Sequence, residues 1–174
     1  MAEKKHNKFK LTAIAVLLLI LSSCNNFNSD YNKIENGLQD YKELNSYLLT
    51  IYRDRKPKPD FIPGYDIITF FTKDSLLKNE ELSIYAKDLF KKNKLHVITV
   101  HRPNLIQYKI KQEKKEPFLG IGLNYLTYSL FYANIDENKD QIIEKTIKGS
   151  EEKIIWTKEF DDNWIYVVSE HFSD

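Results

Sequence analysis

The chain has 174 residues, 26 of them basic and 25 acidic, for a formal charge of +1. It holds one cysteine and one methionine, and lysine outnumbers arginine 23 to 3. A single cysteine excludes an internal disulfide framework and any multi-cysteine metal site. The near-zero charge offers no basic excess for nucleic acid.

The N-terminus carries the most specific pattern. Lys4, Lys5, Lys8 and Lys10 precede an apolar run from Leu11 to Leu21, and Ser22, Ser23 and Cys24 follow. The run is within the roughly 7–15 residues of a signal-peptide core. It is shorter than the about 20 residues that cross a bilayer as a helix. The segment resembles the signal peptide and lipobox of bacterial lipoproteins, with Leu21 at −3, Ser23 at −1 and Cys24 at the cut site. The resemblance implies that residues 1–23 are removed and that Cys24 is lipidated. It then carries a diacylglycerol on its sulfur and, in many bacteria, a third chain on its amine. One acyl chain holds a membrane only marginally, whereas two or three anchor stably. Without residues 1–23 the chain has 22 basic and 24 acidic residues, a charge of −2. The mild basicity therefore belongs to the leader. Asn25 stands where Asp would be the inner-membrane retention signal of enteric lipoproteins. In a Gram-negative host the expected destination is the outer membrane.

The expected organisation is a leader over 1–23, a polar tether over 24–30 and one globular domain over 31–174. A first helix is predicted from Ser29 or Asp30, both good N-caps, to about residue 53. Tyr31, Ile34, Leu38, Tyr41, Leu48 and Tyr52 recur at helical spacing, Leu44 and Ile51 widen the stripe, and Asn45 is the polar exception. Gly37 weakens its middle. Pro57, Pro59 and Pro63 force an extended connector. Tyr65–Thr72 reads as a buried strand. A second helix follows, with Asp74, Ser75 and Asn79 as candidate caps and Leu82, Tyr85, Ala86 and Leu89 as its apolar face. It ends near Asn93.

From Leu95 the period changes to two. Leu95–His101 and Leu105–Lys111 read as a hairpin about Arg102-Pro103-Asn104. Phe118–Ala133 reads as a long strand, or two strands joined at Gly120 and Gly122. Asp136–Asp140 reads as a loop, and Gln141–Lys148 as a weak strand ending at Gly149-Ser150. Lys153–Phe160 and Trp164–Phe172 form a last hairpin about Asp161-Asp162-Asn163. The predicted class is α+β: a long N-terminal helix and a second helix packed on one face of a curved, mainly antiparallel β-meander.

The chemistry-bearing residues are sparse. His96 and His101 differ by an odd number and face opposite sides of one strand; His171 stands apart. Asp136-Glu137-Asn138-Lys139-Asp140 has the acidic spacing that opens a calcium loop. However, Gln141 replaces the required glycine and Ile147 the bidentate glutamate. Gly120-Ile121-Gly122 lacks the third glycine of a dinucleotide loop. No nucleophile elbow, Ser-x-x-Lys motif or Walker loop is present. No catalytic residue, metal or cofactor is therefore expected. The sequence points to Cys24 alone, as a lipidation site. Tyr128 and Tyr132 share one strand face with Leu126 and Leu130, while Tyr125 and Phe131 share the other. Burial of both faces would make this strand central; exposure of one would make it a binding patch.

The leading functional expectation is a lipid-anchored, non-enzymatic cell-envelope protein. Its partners are the membrane, through Cys24, and an envelope protein or glycan, with no nucleic acid. An immunity-like role and a structural role in an envelope complex are two concrete forms. The alternatives are a small envelope hydrolase using carboxylates about 5–10 Å apart and a small-ligand carrier with a deep apolar cavity.

Overall fold

The computed structural model describes residue 27, residues 29–56, residue 62, and residues 67–78, 80–91, 95–115, 124–135 and 138–172. Cys24 and the leader lie outside these residues, as do Pro57, Pro59, Pro63, Tyr65, Gly120, Gly122 and Asp136. The chain divides into two compact units, Met1–Gly37 and Leu38–Asp174. In the first unit residues 29–35 are helical, and a turn follows at Asn36 and Gly37. The continuous helix expected over 31–53 is thus interrupted at Gly37. Glycine costs about 1 kcal/mol in a helix interior, and asparagine also favours turns.

The second unit opens with helix α1 (Leu38–Tyr52), which buries Tyr41, Leu44, Asn45, Leu48 and Tyr52. Strand β1 is Thr69–Thr72, followed by helices α2 (Lys73–Lys78) and α3 (Glu80–Lys91). Thr72 precedes α2 and exchanges hydrogen bonds with Ser75: its N–H donates to Ser75 Oγ, and the Ser75 hydroxyl donates to Thr72 O, both at 2.9 Å. This reciprocity starts the helix as a capping box does. Glu80 and Glu81 occupy the first turn of α3, where the helix dipole favours them.

Strands β2 (Val97–Arg102), β3 (Leu105–Lys115) and β4 (Asn124–Ala133) follow, then helix α4 (Lys139–Gly149) and strands β5 (Glu152–Asp161) and β6 (Trp164–Phe172). The six strands form one open sheet in the order β1-β2-β3-β4-β6-β5. Every neighbouring pair is antiparallel. The protein is α+β, as its period change predicts. β1 to β4 are adjacent in chain order, but the chain then crosses through α4 to the far edge and β6 returns between β4 and β5. β4 and β5 therefore run in the same direction.

The segment Gln141–Lys148 is helix rather than strand. Ile143, Thr146 and Ile147 are buried on α4, at spacings of three and four that fit one helical face. Asp140 lies in the first turn and Lys148 in the last, and Lys148 Nζ is 2.7 Å from Glu144 Oε1, one turn earlier. The β-branched isoleucines imitate a strand, but burial of the Ile143/Ile147 face decides. The helix ends at Gly149 with Ser150 as its C-cap, and Glu151 beyond it is left-handed.

This helix also corrects the expectation that one sheet face carries all helices. Ile143 and Ile147 pack with Leu105, Phe131, Ala133, Ile165 and Val167. The register places those five strand residues on a common face, since Leu105 opposes Ala133 and Phe131 opposes Ile165. α1 lies on the other face. Tyr41 meets Tyr108 edge-on with centroids 5.8 Å apart, and Tyr52 meets Phe71 at 6.4 Å. The Tyr108 hydroxyl donates to Asn45 Oδ1 at 2.7 Å. The polar exception of the α1 stripe is thus the acceptor that a buried phenol requires.

Candidate functional site

The residues singled out in the sequence fall into separate settings. His96 is exposed just before β2, and its backbone N–H donates to Lys109 O. The His171 ring lies at the end of β6, with Nδ1 3.1 Å from Glu151 O. His101 is buried, 2% exposed, on β2. Among the described residues no group of three histidine, cysteine, aspartate or glutamate side chains is placed to hold a metal ion. Of the acidic loop, Asn138 is left-handed and Asp140 already belongs to α4. Tyr128, Leu130, Phe131 and Tyr132 are all buried. β4 is therefore central, with both faces covered, and its aromatics form core rather than a patch.

A belt of buried polar side chains crosses the α4 face of the sheet. His101 Nε2 is 3.3 Å from Gln107 Oε1, and Gln107 Nε2 donates to Ser129 Oγ at 3.0 Å. This orientation of the amide makes His101 an Nε2–H tautomer. Its Nδ1 is buried with no hydrogen-bond partner among the described residues. Burial holds the imidazole pKa down to about 4, aided by the Lys109 charge and opposed by the Gln107 bond, so His101 is neutral at physiological pH.

Further along the belt lies Glu152, 7% exposed. It accepts hydrogen bonds from the hydroxyls of Ser169 and Thr127, the latter at 3.3 Å, and Lys109 Nζ lies 3.7 Å away. These hydroxyls donate to an anion that Lys109 balances. They are not aimed outward beside a free base, as a nucleophile would be. The belt satisfies buried polarity more than it poises a reaction.

Glu152 also lines a groove of about 870 Å³ between α4 and β5. Ile143, Ile147, Ile154 and Ile165 lie along it, with Asp140, Glu144, Lys153, Lys158 and Glu159 among its charged lining. Besides Glu152, two more of its acids have internal partners: Glu144 pairs with Lys148, and Glu159 with Lys139 at 3.2 Å. The Lys148 hydrogen bond holds the Glu144 carboxyl below the usual range. A general acid needs the opposite shift.

The second candidate is a seam between α1 and α3. The Tyr47 and Tyr85 rings stack with centroids 5.1 Å apart and planes at 24°. The Tyr47 hydroxyl is bonded to Glu81, and that carboxylate pushes the phenol pKa up to about 12. Tyr85 is 39% exposed, Ile51, one helical turn beyond Tyr47, is 40% exposed, and Ile84, on the side of α3 away from its buried Leu82, Ala86 and Leu89, is 75% exposed. Sequence periodicity assigns Ile51 and Tyr85 to apolar helix faces directed at the core, and it does not single out Ile84 at all. Leu82, Ala86, Leu89 and Phe90 are the buried residues of α3. Aromatic rings fixed against each other at a part-exposed position are of the kind that interface centres use.

No family model matches this chain, and no curated protein or solved structure matches it. The functional reading rests on the residues themselves.

Proposed function

We propose that this chain is a lipid-anchored cell-envelope protein whose C-terminal unit binds another macromolecule without catalysing a reaction. The anchor reading is supported by Leu21-Ser22-Ser23-Cys24 behind a basic, then apolar, segment. The binding reading is carried by the part-exposed Tyr47–Tyr85 stack, with exposed Ile51 one turn beyond Tyr47. Aromatic residues in fixed positions dominate interface energies, because little side-chain entropy remains to be lost. In a Gram-negative host Asn25 favours the outer membrane. An immunity-like role and a structural role in an envelope complex both fit this surface. The belt supports the same reading, because the Ser169 and Thr127 hydroxyls and the His101 Nε2 are directed at neighbours within the protein.

The anchor is tested by Cys24→Ala in the full chain. Incorporation of radiolabelled palmitate should vanish, and the protein should leave the membrane fraction. Unchanged labelling together with unchanged fractionation would end the anchor reading. The binding half is tested by incubating the full chain with peptidoglycan, glycan and ester substrates. Turnover that disappears on substitution of Glu152 or His101, with folding preserved, would replace it with an enzymatic reading.

A further inference from the structure

We infer that the pocket between α1 and the β2–β3 turn binds an acidic sugar residue of a glycan chain. This rests on the binding reading above and adds a second site with its class of ligand. The pocket has a volume of about 440 Å³, within the ~300–1,000 Å³ of small-molecule sites. Its helical wall is Ser46, Leu49, Thr50 and Arg53, which at i, i+3, i+4 and i+7 share one flank of α1. The facing wall is Pro103 and Asn104 of the turn, with Tyr132 and Asn134 at the end of β4. Hydrogen bonds fix that wall. Asn134 N–H donates to Asn104 O and Asn104 Nδ2 to Asn134 O, both at 3.0 Å, and Ala133 N–H donates to Asn163 O at 2.8 Å.

Four polar side chains converge on this pocket with no hydrogen-bond partner among the described residues: the Ser46 and Tyr132 hydroxyls, the Asn134 carboxamide and the Arg53 guanidinium. Arg53 has only a 3.6 Å approach of Nε to Asp54 Oδ1, both side chains being exposed. The α4–β5 groove, by contrast, answers its polar groups from within. Hydroxyls and a carboxamide both donate and accept, as the vicinal hydroxyls of a sugar do. Leu49 and Pro103 are half-buried and offer apolar surface to the C–H face of a sugar ring. Arg53 is the one charged residue among the described lining. Residues 53–56 hold three cations against Asp54, a net +2, which offsets the partial negative charge at the C-terminal end of α1. One carboxylate on one guanidinium is matched there. A phosphate would find a single guanidinium and no helix N-terminus. The pocket opens along Ser46, Thr50, Arg53 and Asn134, all exposed, and so suits one residue of a chain that continues into solvent.

The test titrates the detergent-solubilised, nitrogen-15-labelled full chain with trigalacturonate and follows the backbone amide signals of Asn104 and Asn134. The controls are the carboxyl-reduced trisaccharide, triglutamate and inorganic phosphate. The expected result is a saturable shift of both signals with trigalacturonate, and roughly tenfold weaker binding of the reduced trisaccharide, as loss of one charge-assisted pair implies. Arg53→Gln should erase that difference. Asn134→Ala, which keeps the backbone bonds to Asn104, should weaken both trisaccharides several-fold. Lys153→Gln on β5 should change neither, and circular dichroism should be the same for all variants. No saturation by about 20 mM trigalacturonate, equal binding of triglutamate or phosphate, or titrations indifferent to Arg53→Gln and Asn134→Ala would overturn the inference. Cleavage of the trisaccharide would support the site and end the non-catalytic reading. Absence of binding would end the site and leave that reading to the Tyr47–Tyr85 stack, so the two failures are distinguishable.

Discussion

Two surfaces on opposite sides of the sheet handle charge and apolar area in opposite ways. Along the α4–β5 groove, Glu144 pairs with Lys148, Glu159 with Lys139 and Glu152 with Lys109, and Ile143, Ile147 and Ile165 are already buried. The edge beside it is guarded as well. β5 is bulged between Ile154 and Trp156 and again between Glu159 and Asp161, and Lys153 and Lys158 are exposed on it. Bulges and lysines are the usual means of keeping an edge strand from pairing with another chain. The α1–α3 seam does the reverse. It leaves Ile51 and Tyr85 part-exposed and holds the Glu81 carboxylate against the Tyr47 hydroxyl. A groove of large volume is therefore the less informative of the two surfaces, since its groups are largely satisfied from within.

If the α4 side is a closed, satisfied layer, the largest effect belongs to its centre. Phe131 is fully buried there among Leu105, Ile143, Ile147, Ile165 and Val167. Phe131→Ala should cost about 3–5 kcal/mol, as large-to-small core changes do. The measurement is a urea unfolding midpoint at constant slope. A loss below about 1 kcal/mol would mean that α4 is loosely docked and that the groove is a mobile site after all.

The belt gives the next largest effect, and it depends on pH. His101 is neutral in the folded protein, with a pKa held at about 4 against an ordinary 6.5. The unfolded chain therefore binds its proton first as pH falls. Stability is full above about 6.5, declines between 6.5 and 4, and levels off for this group below 4. The total is on the order of 3 kcal/mol. The charged group nearest the ring in its effect is Lys109, which acts in the same direction as burial. Asp161 titrates lower. Burial raises its carboxyl, but the Lys42 hydrogen bond and two backbone N–H groups outweigh that and hold it below the usual range. His101→Asn should flatten the stability profile between pH 4 and 6.5. A profile of unchanged slope in that variant would assign the acid sensitivity elsewhere. This burial also separates His101 from His96 and His171. Scattered histidines with no catalytic spacing suggest that alanine is tolerated at all three, yet only His96 is exposed and outside any packed layer.

The contrast between the two sides was only half legible in the sequence. The period change near Leu95 and the turns at Arg102-Pro103-Asn104 and Asp161-Asp162-Asn163 mark hairpins that the structure contains, because a two-residue alternation has few other solutions. The stripe on α1 was equally plain, down to Asn45, whose polarity makes sense only with Tyr108 opposite it. α4 was missed because Ile142, Ile143 and Ile147 carry strand propensity, and the sheet partner that buries one helical face lies far away in sequence. Ile51 and Tyr85 were assigned to the core because periodicity reports the direction of a side chain and not what lies beyond it. The width of a buried stripe is set by what the neighbouring element covers. Glu152 gave no signal, since its partners Ser169, Thr127 and Lys109 come from three other strands.

The smallest effect is the sharpest test of the comparison. Ile84 and Ile147 are both isoleucines on a short amphipathic helix, and hydrophobicity alone ranks them equally. The structure buries Ile147 almost completely and leaves Ile84 three-quarters exposed. Ile84→Ser removes an aliphatic side chain from water rather than from a core, so no cavity forms and no polar group is buried. The change in unfolding free energy should stay within about 0.5 kcal/mol, as for surface substitutions generally. If Ile84→Ser instead cost about 2 kcal/mol, Ile84 would be a packed residue and the seam would be part of the fold. A neutral stability effect would place Ile84 outside the packed fold, where single aliphatic side chains commonly stand in solvent.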